Sequence, residues 1–302
     1  MRKVGSGGKN KRALRGRGNT PKAEDRVWHK AYKGNSHKGN KPQQRGNRRP
    51  SSTGRGAGPD WVVGRNPVLE ALRAGLPVKA AYVAEGSDRD NRLADIFKFA
   101  ADNSITLLQT TRAELDRLTG GSVHQGVAMQ LPSYEYADAL DLMSDALYDE
   151  EKPALVVMLD GITDPHNLGA IVRSAAAFNA HGVVIPERRS ASMSAVAWKS
   201  SAGAAARIPV AKATNLNRAI DQYKKAGYTV VGLAAGDNDI SATPGLDGPV
   251  VLVVGSEGSG ISRLTQEKCD VLASIPISNS VESLNASVAA AIALYEVSRV
   301  RG

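Results

Sequence analysis

An α/β fold with a mostly parallel sheet in its C-terminal half is what this sequence predicts, and three observations predict it. Strand-like and helix-like segments alternate from Trp61 onward, the pattern of a sheet covered on both faces by helices. Two segments, PALVVMLD (153–160) and VVLVVG (250–255), are apolar almost throughout, as strands buried on both faces are. Residues 1–58 hold 17 Lys and Arg against only Glu24 and Asp25, with few apolar side chains to offset the entropy of ordering; a disordered basic tail is expected there.

Order is expected from Trp61. GRNPVLEALRAG (64–75) reads as a helix with Asn66 as cap, Pro67 at the first helical position and Gly75 as the stop. AAYVAE (80–85) predicts a strand, and NRLADIFKFAADN (91–103) a helix with apolar residues at 93, 96, 97 and 100. The strand TLLQTT (106–111), the helix TRAELDRLTG (111–120) and the strand VHQGVAMQL (123–131) complete a small α/β domain at 61–131, in which His124 reads as structural rather than as a ligand. Residues 132–152 turn polar and acidic around one weak helix, ADALDLMSDALYDE, and are expected to be a linker or an edge element.

The second block, 153–302, opens on the apolar strand 153–160. DPHNLGAIVRSAAAFNA (164–180) follows as a helix, with Asp164, Pro165 and Asn167 as start signals and Leu168, Ile171, Val172, Ala175 and Ala176 as its apolar face. Its other sector holds Gly169, Ala170, Ala177 and Ala180, with Arg173 as the one long charged group. Then come a strand GVVIP (182–186), an alanine-rich segment (190–211), a helix NLNRAIDQYKKAG (215–227), a strand YTVVGLAA (228–235), the strand 250–255 and a helix beginning near Ile261. ASIPIS (273–278) predicts the last strand, and SLNASVAAAIALYEVSRV (283–300) the last helix, with Ser283 as its cap and Asn285 inside the first turn.

At 302 residues and 42% hydrophobic, the chain can bury one or two domains. The lone Cys269 excludes an internal disulfide, and no His, Asp, Glu or Cys grouping has metal spacing, so no metal is expected. No apolar run has membrane-spanning length and no secretory core opens the chain; no membrane association and a cytoplasmic location are expected. The net charge of +9 resides in the tail, whose arginines, glycines, Trp28 and Tyr32 suit phosphate contacts and base stacking.

In parallel sheets ligands sit beyond the carboxyl ends of the strands, and three loops fall at that edge. DGITDPHNLGAIVR follows the strand ending at Asp160, GSEGSGISRL follows VVLVVG, and SIPISNSVESLNAS precedes the final helix. The second is neither the dinucleotide fingerprint, since Gly255, Gly258 and Gly260 run G-x-x-G-x-G, nor a P-loop, since no Lys-Ser/Thr pair follows. Its Glu257 could reach inward to hold a cation or a hydroxyl. One arginine, one glutamate, two amides and a serine around glycine turns suit positioning rather than covalent or metal catalysis.

Together these loops resemble the SPOUT superfamily of RNA methyltransferases, in the branch that methylates ribose 2′-hydroxyls. The matching stretches are Asn167 through Arg173, then Gly255, Glu257 and Gly260, then Ile275, Pro276, Ile277, Ser283, Leu284, Asn285, Ser287 and Ala289. The resemblance covers residues 61–302 and is nearest to the 23S rRNA guanosine 2′-O-methyltransferases. It implies a deep trefoil knot in the C-terminal sheet, a small RNA-binding domain before it, S-adenosylmethionine as cofactor, RNA as partner and a homodimer. Carried over residue by residue, it makes Arg173 the catalytic group, assisted by Asn167, Glu257, Ser283 and Asn285. It gives cofactor contacts to Gly255, Ile275, Pro276 and Leu284, with Gly232, Leu233, Ala234 and Ala235 lining the same pocket. The smooth helix bearing Arg173 would then be packed by the knot and by the dimer partner. A tRNA or another rRNA position as target, and a non-catalytic RNA-binding homologue, are the alternatives.

Overall fold

The computed structural model describes residues 58, 60–87, 90–236, 238–278 and 280–302; the expected basic tail, but for Gly58, lies outside the described residues. Two sheets organise the rest. The smaller runs through β1 (Trp61–Val63), α1 (Arg65–Arg73), β2 (Ala80–Ala84), α2 (Asn91–Asp102), β3 (Leu107–Thr110), α3 (Arg112–Leu118) and β4 (Val127–Gln130). Its strand order is β1-β4-β2-β3, with β2 and β3 parallel and the other pairs antiparallel. Val68, Leu72, Leu93, Ile96, Val127 and Met129 fill its core.

Local chemistry sets the helix starts. Asp90 caps α2 by accepting from the Leu93 N–H, and Thr111 caps α3 by accepting from that of Glu114. Asn66 is not the cap expected of it. Gly64 turns into α1 at φ 100°, and the free Arg65 N–H is satisfied from outside the helix, by Gln125 Oε1 at 3.2 Å. His124 is fully employed: its Nδ1 accepts from the Gly126 N–H at 2.9 Å and its Nε2 meets Asp116 at 3.0 Å.

The larger sheet is formed by β5 (Ala137–Asp138), β6 (Leu155–Asp160), β7 (Gly182–Pro186), β8 (Val210–Ala213), β9 (Thr229–Leu233), β10 (Val250–Gly255) and β11 (Val271–Ala273). All its pairs are parallel, in the order β11-β9-β10-β6-β7-β8-β5. The helices are α4 (Ala139–Leu147), α5 (Pro165–Ala177), α6 (Ala195–Ser200), α7 (Leu216–Lys225), the short α8 (Arg263–Gln266) and α9 (Ala286–Arg301). Residues 137–147, read as a linker or edge element, supply the edge strand β5 and helix α4. The central strands β6 and β10 pair from Leu155↔Val250 to Asp160↔Gly255. Alternate side chains feed two cores: Val157, Leu159, Leu252 and Val254 meet α5 and α9, while Val156, Met158, Val251 and Val253 meet α4 and α7. Each such fully buried side chain contributes roughly 1.5–3 kcal/mol relative to exposure.

The smoothness of α5 has its explanation within the chain. A Cβ on Gly169 would lie 2.3 Å from the Ala197 carbonyl and 2.6 Å from Ser200 Cβ, so α6 rests directly on α5. Part of the face expected to await a dimer partner is therefore covered by α6. That helix also meets the small domain, where Ala195 joins the core and Lys199 pairs with Glu70. The last strand is shifted from its expected place: β11 ends at Ala273, and 274–278 leave the sheet. Pro276 has no N–H for a ladder, and Ser274 instead donates to the Asn238 carbonyl, in the connection after β9. Among the described residues no helix is long and apolar enough to cross a membrane.

Candidate active site

Because β6, β9 and β10 are parallel neighbours, the segments that follow them leave the sheet at one edge. There, residues 233–236, 254–261, 272–278, 281–284, 286 and 289 line a crevice of about 900 Å³, within the range of sites for small organic ligands. Glycine makes its middle wall. A Cβ on Gly255 would strike Gly260 C at 2.1 Å, so only glycine lets the loop fold back on β10. Ser256 and Gly260 then exchange backbone hydrogen bonds of 3.1 and 2.9 Å, and Asp160 at the end of β6 accepts from the Ser262 N–H at 2.8 Å. The fold-back leaves Glu257 exposed at the loop tip.

Asn285 meets it there. The last helix starts at Ala286, not 283, and its cap is Asn285, whose Oδ1 accepts from the Ser287 and Val288 N–H groups at 2.9 and 3.3 Å. This corrects the reading of Ser283 as cap and of Asn285 as a first-turn residue. With Oδ1 committed to the helix, the Asn285 amide nitrogen faces away and donates both to Glu257 Oε1 and, at 2.9 Å, to Asn167 Oδ1. Asn167, in the first turn of α5, donates to the same Glu257 oxygen at 2.9 Å. The start of α5 is fixed by Asp164, which accepts from the His166 N–H at 3.0 Å. Three segments far apart in sequence are thus locked into one amide–carboxylate cluster. Glu257 Oε1 is a fixed acceptor, and Oε2 takes no donor from the described residues.

The other expected residues fall into three groups. Leu233, Ala234, Ala235, Gly255, Ile275, Pro276, Ser283 and Leu284 all line the crevice. Gly232 does not: a Cβ there would meet Cys269 Sγ at 2.7 Å, so its smallness serves packing beneath the crevice floor. Arg173 belongs to neither the crevice lining nor the cluster. It is exposed on α5 without a hydrogen bond or ion pair among the described residues, roughly 9 Å along the helix from Asn167.

Crevice residues that sequence reasoning missed include Asp239 and Gln266, which lie outside the three loops and have no spacing signal. The crevice suits a ligand that pairs with backbone. The N–H groups of Ile275, Ile277 and Leu284 have no acceptor among the described residues, and nothing lies within 4 Å of where a Cβ of Gly236 or Gly258 would stand. Cys269, beneath the floor, is no nucleophile, since burial pushes its thiol up to about 11.

Comparison with known proteins gives the chain a family. Residues 154–295 match the SpoU rRNA methylase family, and residues 61–137 the RNA 2′-O ribose methyltransferase substrate-binding family. The chain is 53% identical over 299 residues to an uncharacterized tRNA/rRNA methyltransferase of Mycolicibacterium gilvum, covering 99% of this chain and 92% of that one. Among solved structures it is similar to the SpoU methyltransferase AviRb from Streptomyces viridochromogenes in complex with AdoMet. The TM-score is 0.53 at 26% identity, covering 80% of this chain and 90% of that one. An AdoMet-bound rRNA methyltransferase from Sinorhizobium meliloti shares the fold at a TM-score of 0.53 and 23% identity, over 80% of this chain and 87% of that one. The chain belongs to the SpoU family of RNA methyltransferases.

Proposed function

We propose that this enzyme methylates the 2′-hydroxyl of a guanosine ribose in 23S rRNA, with S-adenosylmethionine in the crevice as methyl donor. The observation that carries the reading is the meeting of Asn167, Glu257 and Asn285 at the mouth of a crevice rich in open backbone donors. Residues 233–235, 255, 275–277 and 284 would hold the donor, which supplies an electrophilic methyl on a sulfonium.

The protein's own task is then to place one hydroxyl in line with that methyl. Such positioning can lower a barrier by about 7–11 kcal/mol in favourable cases. Glu257, whose Oε1 is held by the two amides, offers Oε2 as the acceptor that orients the ribose hydroxyl. A guanidinium is a poor general base, which leaves Arg173 another role. Its free guanidinium instead fixes the adjacent phosphate or stabilises developing alkoxide charge, and the proton leaves to phosphate or water. A homodimer fits the unpaired Arg173 on α5 and the exposed Val288 and Tyr295 on α9, the helix packed beside it. In this reading the return of the chain from the edge strand β11 to α9 is the crossing that ties the family's knot.

Mapping ribose methylation across total RNA from cells with and without this protein tests the target. One guanosine of the peptidyl-transferase loop of 23S rRNA should lose its 2′-O-methyl group in the protein's absence. Loss at a tRNA or another rRNA position moves the target, and an unchanged map contradicts the reading.

A further inference from the structure

The sheet edge that holds the crevice continues past α5, and a second feature lies there. Between β7 and the buried Ala191 the chain makes a tight turn, Glu187–Arg188–Arg189–Ser190, anchored on all sides. Glu187 N–H donates to the Ala213 carbonyl at the end of β8, the Ser190 hydroxyl donates to the Pro186 carbonyl, and Ala191 N–H donates to the Ile162 carbonyl at 2.7 Å. Ile162 belongs to the loop that leads from β6 into Asn167. Both arginines are exposed, and neither has an ion pair or hydrogen bond among the described residues. Glu187 forms no ion pair with them among the described residues, and the turn, with two arginines and one glutamate, is net positive.

Arg189 also adopts φ 58°, a left-handed conformation that glycine or asparagine takes at lower cost. A strained, anchored position filled by a free arginine is a poor choice for folding alone. Along the sheet order β10-β6-β7, the strand that leads into the turn lies two strand spacings, about 10 Å, from the strand that leads into the loop bearing Glu257. Asn167 lies between them in the chain's layout, on the helix that follows β6.

We propose that Arg188 and Arg189 form a phosphate-binding subsite that grips the RNA backbone next to the nucleotide being methylated. The guanidinium fork matches a phosphodiester's oxygens in a way an ammonium does not. Phosphate pairing of this kind sets the register of the strand without reading its sequence. The inference rests on the proposed function, because it takes the ligand to be an RNA strand whose ribose enters the crevice.

The test is direct RNA binding by the full chain across a salt series, with rRNA from cells lacking this protein as the probe. The double variant Arg188→Gln, Arg189→Gly should bind several-fold more weakly, and the slope of log K against log salt should fall by about 0.7 for each single-strand phosphate that is no longer neutralised. Cofactor affinity should not change. Arg189→Gly alone relaxes the backbone, so its thermal midpoint should equal or exceed the parent's, which separates an effect of charge from an effect of folding. Arg188→Lys, Arg189→Lys should keep the salt slope while giving up part of the affinity. Lys225→Gln, at the far end of α7, should leave the slope as it is. An unchanged slope in the double variant, or an equal drop from Lys225→Gln, overturns the subsite. Methyl transfer by the parent is measured on the same RNA: its absence sinks the proposed function, whereas the binding slopes still decide the subsite.

Discussion

Helix α5 holds two polar side chains of opposite habit. Asn167, in its first turn, is locked: both ends of its amide are bonded, to Glu257 and to Asn285. Arg173, further along the same helix, is bonded to nothing among the described residues. The difference teaches where preorganisation ends. Groups that orient a small hydroxyl can be fixed in the folded chain, because their partners are all protein. Under the proposed function, Arg173 answers to phosphate or to transient charge and meets its partner only when RNA arrives.

The largest effect should come from the free group. Arg173→Ala should lower turnover by about 10²–10³-fold, the cost of removing one charge-stabilising donor, with cofactor affinity unchanged by calorimetry. Turnover within tenfold of the parent would remove its catalytic role. Glu257→Ala strikes the locked group and takes from both amides their shared acceptor; a single-turnover loss of roughly 10–100-fold is expected, the equivalent of about 1.5–3 kcal/mol for hydrogen bonds to a charged group. Asn285→Ser separates cap from cluster. Serine can still cap α9, so the thermal midpoint should stay close to the parent's, while turnover falls because the amide donors are gone. Equal losses of stability and turnover would reduce Asn285 to a structural residue.

Gly169→Ala moves the helix that bears both side chains. Its Cβ has no room against α6, so a destabilisation of about 1–3 kcal/mol is expected from denaturant titration. The smallest effect concerns the opposite end of the sheet. His181 accepts the Leu155 N–H and meets Asp149 at 3.1 Å, and burial holds its imidazole below the ordinary 6.5. The unfolded chain therefore binds the proton first, and stability should fall as pH drops below about 6.5. His181→Gln should flatten that limb of the pH–stability curve while leaving turnover at neutral pH alone.

Much of the fold is legible in the sequence, for physical reasons. The fully apolar strands at 155–160 and 250–255 and the helix 165–177 stand where pattern and caps put them, because burial on both faces and an Asp-Pro start are strong local signals. Strand β8 is hidden within an alanine-rich run, where no periodicity separates strand from helix. The end of β11 falls short of its expected place because the IPIS stretch looks strand-like, yet its proline and the Ser274–Asn238 hydrogen bond pull it from the ladder. In the site, Asn285 stands out in the sequence but with the wrong local role; capping depends on where the helix begins, and that is set by the meeting with Glu257. Gly232 looks like a pocket residue by its neighbours, and only tertiary packing against Cys269 reveals its use. The sequence shows Arg173 as the one long charged group of its sector, but that no other segment brings it a partner is a tertiary fact.

One measurement bears most directly on the central claim: methyl-labelled S-adenosylmethionine is incubated with the parent and rRNA from cells lacking this protein, and the RNA is digested to nucleosides and read by mass spectrometry. Label on the ribose of guanosine, and its loss in Arg173→Ala, is the predicted result. Label on a base, or no label in any nucleoside, would contradict it.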